Sequence, residues 1–355
     1  MRQEDVRELL DWFLHHQREM PWRSNPIPYW VWISEAMLQQ TQVATVIPYF
    51  HRFIQRFPTV DSLAGADLQD ILKMWEGLGY YSRARNLHRA AISIMTQFNG
   101  QIPDDYVTLQ TLPGFGPYIA AAVVSIAFEK AVPVVDGNVL RVFSRYWAIA
   151  DDISAGRTRS AIFSRLVPVI QHVRPSQFNQ AIMELGALYC TPKSPACPKC
   201  PVRSGCEANA TQQVDRFPVK AKKAAVPHFT IGVGVIWHGG RLLVTRRKED
   251  QMLGGLWEFP GGKQLPGEGI VDTIRREITE ELDISVTVGD PIQVVKHAYS
   301  HFKITMIAHH CTFDHGDIKL KSASAMKWVW PHELREFPFP KANTKIIDTL
   351  LKECP

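Results

Sequence analysis

Four of the six cysteines in this 355-residue chain crowd into one stretch: Cys190, Cys197, Cys200 and Cys206, spaced C-x6-C-x2-C-x5-C. Thiolates at such spacing suit one metal centre, because soft sulfur ligands select iron–sulfur clusters or zinc. Zinc sites more often pair two C-x2-C knuckles. One C-x2-C occurs here, which favours a cluster and leaves zinc open. Disulfides are not expected, since the chain opens on the charged, amphipathic MRQEDVRELL and not on a secretory signal. Cys311 and Cys354 stand apart and are expected to be structural.

Two carboxylates and a glycine turn complete the reactive inventory. Glu35 lies in WVWISEAMLQQTQ and is the one charged residue between Arg23 and His51. A carboxylic acid among Trp, Ile, Met and Leu should have a raised pKa and could hold a proton near neutrality. Pairing with a nearby arginine is the alternative. Asp136, in VVDGNV, has the setting of a helix N-cap, a role compatible with chemistry because a capping aspartate is ionised. Thr111 to Tyr118 (TLPGFGPY) sets Gly114 and Gly116 at a tight turn before an apolar helix. Glycine allows positive φ and close backbone approach, and a helix start offers free N–H groups to a phosphate. An ordinary helix–turn–helix without a ligand fits the same residues.

The elements that must hold these groups change character along the chain. Residues 1 to about 210 read as helical, with Val6, Leu9, Leu10, Phe13 and Leu14 on one expected buried face and Pro or Gly punctuating short helices. Residues 212–227 are basic and aperiodic, a linker. Beyond them FTIGVGVIW and Leu242 to Thr245 flank the turn His238-Gly-Gly-Arg241. Strands are expected over 286–296 and 302–313, and a helix over 272–282. The longest apolar run, Ile119 to Phe128, is too short to span a bilayer. A net charge of +5 fits a polyanionic partner without requiring one.

Glycine hairpin, Asp136 and cysteine loop, in this order, resemble the iron–sulfur DNA glycosylases of the endonuclease III superfamily. WISEAMLQQTQV, GLGYYSRARNL, LPGFGPY and VDGNVLRV sharpen the resemblance to its adenine-excising, MutY-type branch, over most of residues 18–206 and on into the carboxyl half. The implied fold is multidomain. An all-α helix-hairpin-helix glycosylase domain spans 1–211, with the hairpin at about 108–128 and a [4Fe–4S] loop at 190–206. A linker (212–227) and an α+β Nudix-like domain (228–355) follow.

The resemblance also implies roles. Breaking an N-glycosidic bond needs one group to protonate the leaving base and another to stabilise the oxocarbenium ion. Glu35 would protonate adenine at N7 and Asp136 would stabilise the cation, supported by Asn138 and Tyr118. Arg18, Trp22, Arg23, Leu38, Gln40 and Gln180 would line the adenine pocket. Gln39 and Tyr80 would wedge into the duplex, filling the gap a flipped base leaves. Gly114 and Gly116 would grip the DNA backbone. Strand-cutting relatives carry a lysine in the hairpin helix where this chain has Tyr118, so a monofunctional glycosylase is implied. The partner would be duplex DNA with an A·8-oxoguanine or A·G mispair, met by a monomer in a bacterial-type cytoplasm, at the nucleoid and away from membranes.

In the carboxyl half, Gly262-x5-Glu268-x7-Arg276-Glu277-x2-Glu280-Glu281-x-Asp283 resembles a Nudix box whose late glycine has become Asp283, a residue that tolerates positive φ. Glu277, Glu280 and Glu281 could hold Mg²⁺ on a diphosphate, or form an exposed acidic face on a domain used only for binding. The MutY-type resemblance implies the binding role, with Tyr299, Ser300 and His301 reading 8-oxoguanine.

Overall fold

The computed structural model describes residues 1–221, 226–299 and 301–353. By its contacts the chain falls into two units: Met1–Gly65 with Arg89–Lys223, and Ala66–His88 with Ala224–Pro355.

The first unit is helical. Its site-bearing helices are α1 (Gln3–His16), α2 (Pro28–Leu38), α3 (Pro117–Phe128), α4 (Gly137–Tyr146) and α5 (Pro175–Leu188). Proline at the first turn of α2, α3 and α5 starts each helix where its missing N–H costs nothing. α3 is buried all round from Ile119 to Ile126, as its unbroken apolar sequence requires, and packs between α2 and α5. α5 also contacts α1 and α4. Val6, Leu9 and Phe13 enter that core with Phe143, Phe178 and Leu185. Leu14, expected on the same face of α1, is instead 54% exposed. Its 100° step from Phe13 carries it past the edge of the buried stripe.

Part of the stretch expected to be a linker is anchored. Phe217 is buried, its carbonyl accepts from Arg145 Nε at 3.0 Å, and the Val219 carbonyl accepts from the Ile153 amide. Aperiodic sequence hid this, because single aromatic anchors leave no period.

The second unit is a mixed sheet between two helices. The strands are β1 (His228–His238), β2 (Arg241–Arg247), β3 (Trp257–Glu258), β4 (Gly261–Lys263), β5 (Ser285–Ala298), β6 (Lys303–His315) and β7 (Ala323–Val329). The main path runs β3-β2-β1-β6-β5, with β4 on β1 and β7 on β2. β1 and β6 pair in parallel and the other pairs are antiparallel. Gly239 and Gly240, both at positive φ, make the β1–β2 turn that the sequence signalled. Alternating side chains feed two cores. Val233, Val235, Leu242 and Val244 pack with α7 (Lys341–Glu353). Ile236, Leu243 and Cys311 pack with Ile274 and Ile278 of α6 (Ile270–Leu282).

Residues 66–88, from the amino-terminal half, join this second unit through specific bonds. Trp257 Nε1 donates to Gln69 Oε1 at 2.8 Å, and Gln69 Nε2 donates to the Gly255 carbonyl at 2.9 Å. Lys73 Nζ reaches the Phe337 carbonyl and Arg85 Nη1 the Gly254 carbonyl.

Candidate active site

Three helices bring the two carboxylates into one cleft of about 460 Å³ in the first unit. Glu35, in the last turn of α2, is 4% exposed. The hydroxyl of Tyr118, in the first turn of α3, donates to Glu35 Oε2. Asp136 caps α4, accepting from the Val139 amide at 2.7 Å and from Asn138 Nδ2 at 2.8 Å. The N-cap reading of Asp136 is met by this geometry, which also faces its carboxylate into the cleft that Glu35 lines.

The electrostatics separate the two acids. Burial lifts the Glu35 pKa to about 7; the Tyr118 hydrogen bond and Arg23 oppose the rise, and the Asp136 charge adds to it. Burial also raises Asp136, but there the amides of Val139 and Asn138, the Asn138 side chain and the Arg141 charge all favour the anion. Tyr118 is pushed well above its usual range by burial and by both carboxylates, so it remains a donor. Both carboxyls are thus raised by burial, Glu35 to about 7, and Asp136 is the one whose amide and side-chain donors favour its anion.

Arg18, Trp22, Arg23, Leu38, Gln180 and Asn138 line the same cleft. Gln39 and Gln40 follow the end of α2 and lie outside its walls, Gln40 with a φ of +59°. One organising residue escaped the sequence reading. Glu184, buried on α5, accepts from Arg18 Nε at 2.8 Å, Arg18 Nη2 at 2.9 Å and Arg23 Nη2 at 3.3 Å. Arg23 Nε in turn donates to Gln180 Oε1 at 2.9 Å. Burial alone would raise Glu184, yet the Arg18 hydrogen bonds and both arginine charges hold it below its usual range. Its signal was available: Glu184 is a lone charge in AIMELGAL, as Glu35 is in its own segment.

The glycine turn forms as expected in part. Gly114 has a φ of +80°, while Gly116 is the extended N-cap of α3 at −69°. A different glycine governs the site. A Cβ on Gly186 would stand 2.6 Å from Asn138 Cβ, so its absence lets α5 lie against the start of α4. Across that contact Arg141 Nη2 donates to Asn138 Oδ1 and to the Gly186 carbonyl, and Nε to the Cys190 carbonyl at 2.7 Å. The cysteine loop is thereby tied to the residue that holds Asp136.

Cys190, Cys197, Cys200 and Cys206 line one apolar cavity, half-buried and free of disulfides. Arg145 Nη1 lies 3.3 Å from Cys190 Sγ. Among the described residues no group of three or more Cys, His, Asp or Glu closes on a single metal ion. Four thiols round a shared cavity are a donor set that fits a cluster bound at its corners.

In the second unit Tyr80, Tyr299 and His301 line another cavity, of about 470 Å³. Tyr80 has a φ of +49°. Ser300 lies outside the described residues. The Nudix-box arginine, Arg276, pairs with Glu268, Glu277 and Glu280 at 2.8 to 3.1 Å. Glu281 accepts from Ser322 Oγ instead. Asp283 adopts a φ of +61°, the conformation inferred for the lost glycine, and pairs with Lys319 and Lys321.

These two arrangements define a class: a helix-hairpin-helix base-excision glycosylase joined to a Nudix-type domain. Residues 33–168 match the HhH-GPD superfamily of base excision DNA repair proteins, and residues 232–349 match the NUDIX domain. The chain is 34% identical to the adenine DNA glycosylase of Buchnera aphidicola (from Schizaphis graminum), over 84% of this chain and 85% of that one. It is 32% identical to the rat adenine DNA glycosylase, over 96% of this chain and 76% of the rat protein. A thermostable thymine-DNA glycosylase structure superposes with a TM-score of 0.54 at 25% identity, covering 58% of this chain and 95% of that one. The chain belongs to the adenine DNA glycosylase family.

Proposed function

We propose that this protein excises adenine mispaired with 8-oxoguanine or guanine in duplex DNA by hydrolysing the N-glycosidic bond. One observation carries the reading: a buried acid with a pKa near 7 shares a cleft with a capped aspartate. Adenine is a poor leaving group as an anion. Glu35 donates its proton to N7, so adenine departs neutral with the bonding pair of the C1′–N9 bond. Asp136 stabilises the oxocarbenium ion that remains until water adds to C1′ and its proton is lost. Tyr118 orients Glu35, and Asn138 orients Asp136. Glu184 holds Arg18 and Arg23 in the cleft wall, with Arg23 braced on Gln180.

Among the described residues no lysine lines the cleft, which supports hydrolysis without a Schiff base and without strand cutting. Gly114 and Gly116 offer backbone to the DNA phosphates, Tyr80 and Gln39 fill the duplex beside the flipped base, and Tyr299, Ser300 and His301 read the opposing 8-oxoguanine. The enzyme acts as a monomer in the DNA-containing cytoplasm. Cys190, Cys197, Cys200 and Cys206 would hold one [4Fe–4S] cluster, which when bound supplies an anchor for their loop. In the proposed test, Glu35→Gln keeps the side-chain shape without the proton. Adenine release should fall below detection while duplex binding persists; near-normal release by the pure variant would remove Glu35 from the mechanism.

A further inference from the structure

The β5–β6 connection closes between Tyr299 and Phe302, whose backbone N–H to carbonyl bond is 2.8 Å. The Tyr299 ring is held on two sides. Phe302 stacks on its face, with centroids 4.7 Å apart and planes 26° from parallel. His297, near the end of β5, meets the tyrosine just beyond the strand in a T-shaped contact at 4.6 Å and 78°. Both geometries are favourable for aromatic rings. Phe302 is itself backed by Phe229, whose ring lies under Lys263 Nζ at 3.9 Å. Tyr299 and Phe302 also pack on the core that includes Met306 and Ile346. A ring so enclosed is poorly placed to swing out as a wedge. It suits a fixed support.

We infer that His297 is a positioning residue for lesion recognition: its ring braces Tyr299, so that this ring is held in place before DNA arrives. This rests on the proposed reading of 8-oxoguanine by Tyr299, Ser300 and His301. The advantage is preorganisation, because a ring already held loses less conformational freedom on binding. His297 is half-buried and lines the same 470 Å³ cavity as Tyr80, His301 and Phe302, while Phe302 also packs on the apolar core. Burial, then the nearby Lys345 and Lys341, hold its imidazole below the usual histidine range, so the contact is between neutral rings.

The test compares single-turnover adenine release from A·8-oxoguanine and A·G duplexes for the full-length protein, His297→Ala, His297→Phe and the double variant Ser300→Ala with His301→Ala. His297→Ala should lower the preference for A·8-oxoguanine about three- to tenfold, the worth of one aromatic contact. Its A·G rate should stay within about twofold, and His297→Phe should restore most of the preference by restoring a ring. The double variant should lower the preference further. If the double variant lowers it and His297→Ala does not, positioning by His297 is overturned while the reading stands. If the double variant leaves the preference unchanged, the reading itself fails and the inference with it. Equal slowing of both substrates by His297→Ala, with a lowered melting temperature, would leave His297 a merely structural part and overturn the inference.

Discussion

The chemistry of Glu35 follows from where the chain buries it. A carboxyl with a pKa near 7 is half protonated at neutrality, so it can serve as general acid where an exposed glutamate would already be ionised. Single-turnover kcat/KM should therefore fall about tenfold per unit as pH rises beyond about 7. On the acid side activity should fall as Asp136 takes a proton, and burial sets that limb above the ordinary aspartate range. A pH–rate profile that stays flat to pH 9 would contradict the assignment of Glu35. Glu184 makes a prediction about stability. Glu184→Ala leaves the guanidinium groups of Arg18 and Arg23 without their shared carboxylate. Arg18 is 38% exposed and keeps part of its solvation, while Arg23 is mostly buried, so the loss should cost about 1–3 kcal/mol, which a denaturant titration would read directly. Isolation in an apolar run pointed to Glu35, and the same signal was present for Glu184. What the sequence could not supply was the partner: Arg18 lies 166 residues away and only the fold brings it close.

At the scale of elements, local signals served well and long-range pairings did not. The Gly239–Gly240 turn, the capping Asp136 and the positive φ of Asp283 are each decided within a few residues, and each was legible. Parallel pairing of β1 with β6 joins Phe229 to Ile304, and no local pattern encodes it. The docking of residues 66–88 on the Nudix-type sheet was equally hidden, since it depends on Gln69 meeting Trp257. The cysteine loop belongs to this scale because Arg141 couples it to Asn138. Cys197→Ser should reduce iron from roughly four per chain, bleach the broad absorption near about 400 nm expected of a cubane cluster, and lower solubility. Wild-type protein that is colourless, active and zinc-loaded would refute the cluster. α6 makes the opposite kind of prediction. Arg276 already engages Glu277 and Glu280, and α6 carries no residue assigned to DNA. Glu280→Gln should leave adenine release unchanged, and the wild-type protein with Mg²⁺ should free no phosphate from 8-oxo-dGTP. Robust hydrolysis that Glu280→Gln abolishes would make the box a second active site.

At the scale of the whole molecule, one unit carries the candidate bond-breaking acids and the other carries the candidate reader of the opposing base. Removing the reader should change selectivity more than chemistry: each hydrogen bond lost to the altered base is worth about 1–3 kcal/mol of discrimination. Two units with separate jobs were legible in the change of period near residue 212. That residues 66–88 would side with the carboxyl-terminal unit was not, because they carry the helical pattern of their neighbours in sequence. The most direct test of the account is a single-turnover reaction on a duplex holding one A·8-oxoguanine pair, with free adenine measured alongside strand integrity before and after alkali. The account predicts stoichiometric adenine release, a strand that stays intact until alkali is added, and faster release than from A·G or A·C. Absence of free adenine, or prompt scission by homogeneous protein without alkali, would contradict it.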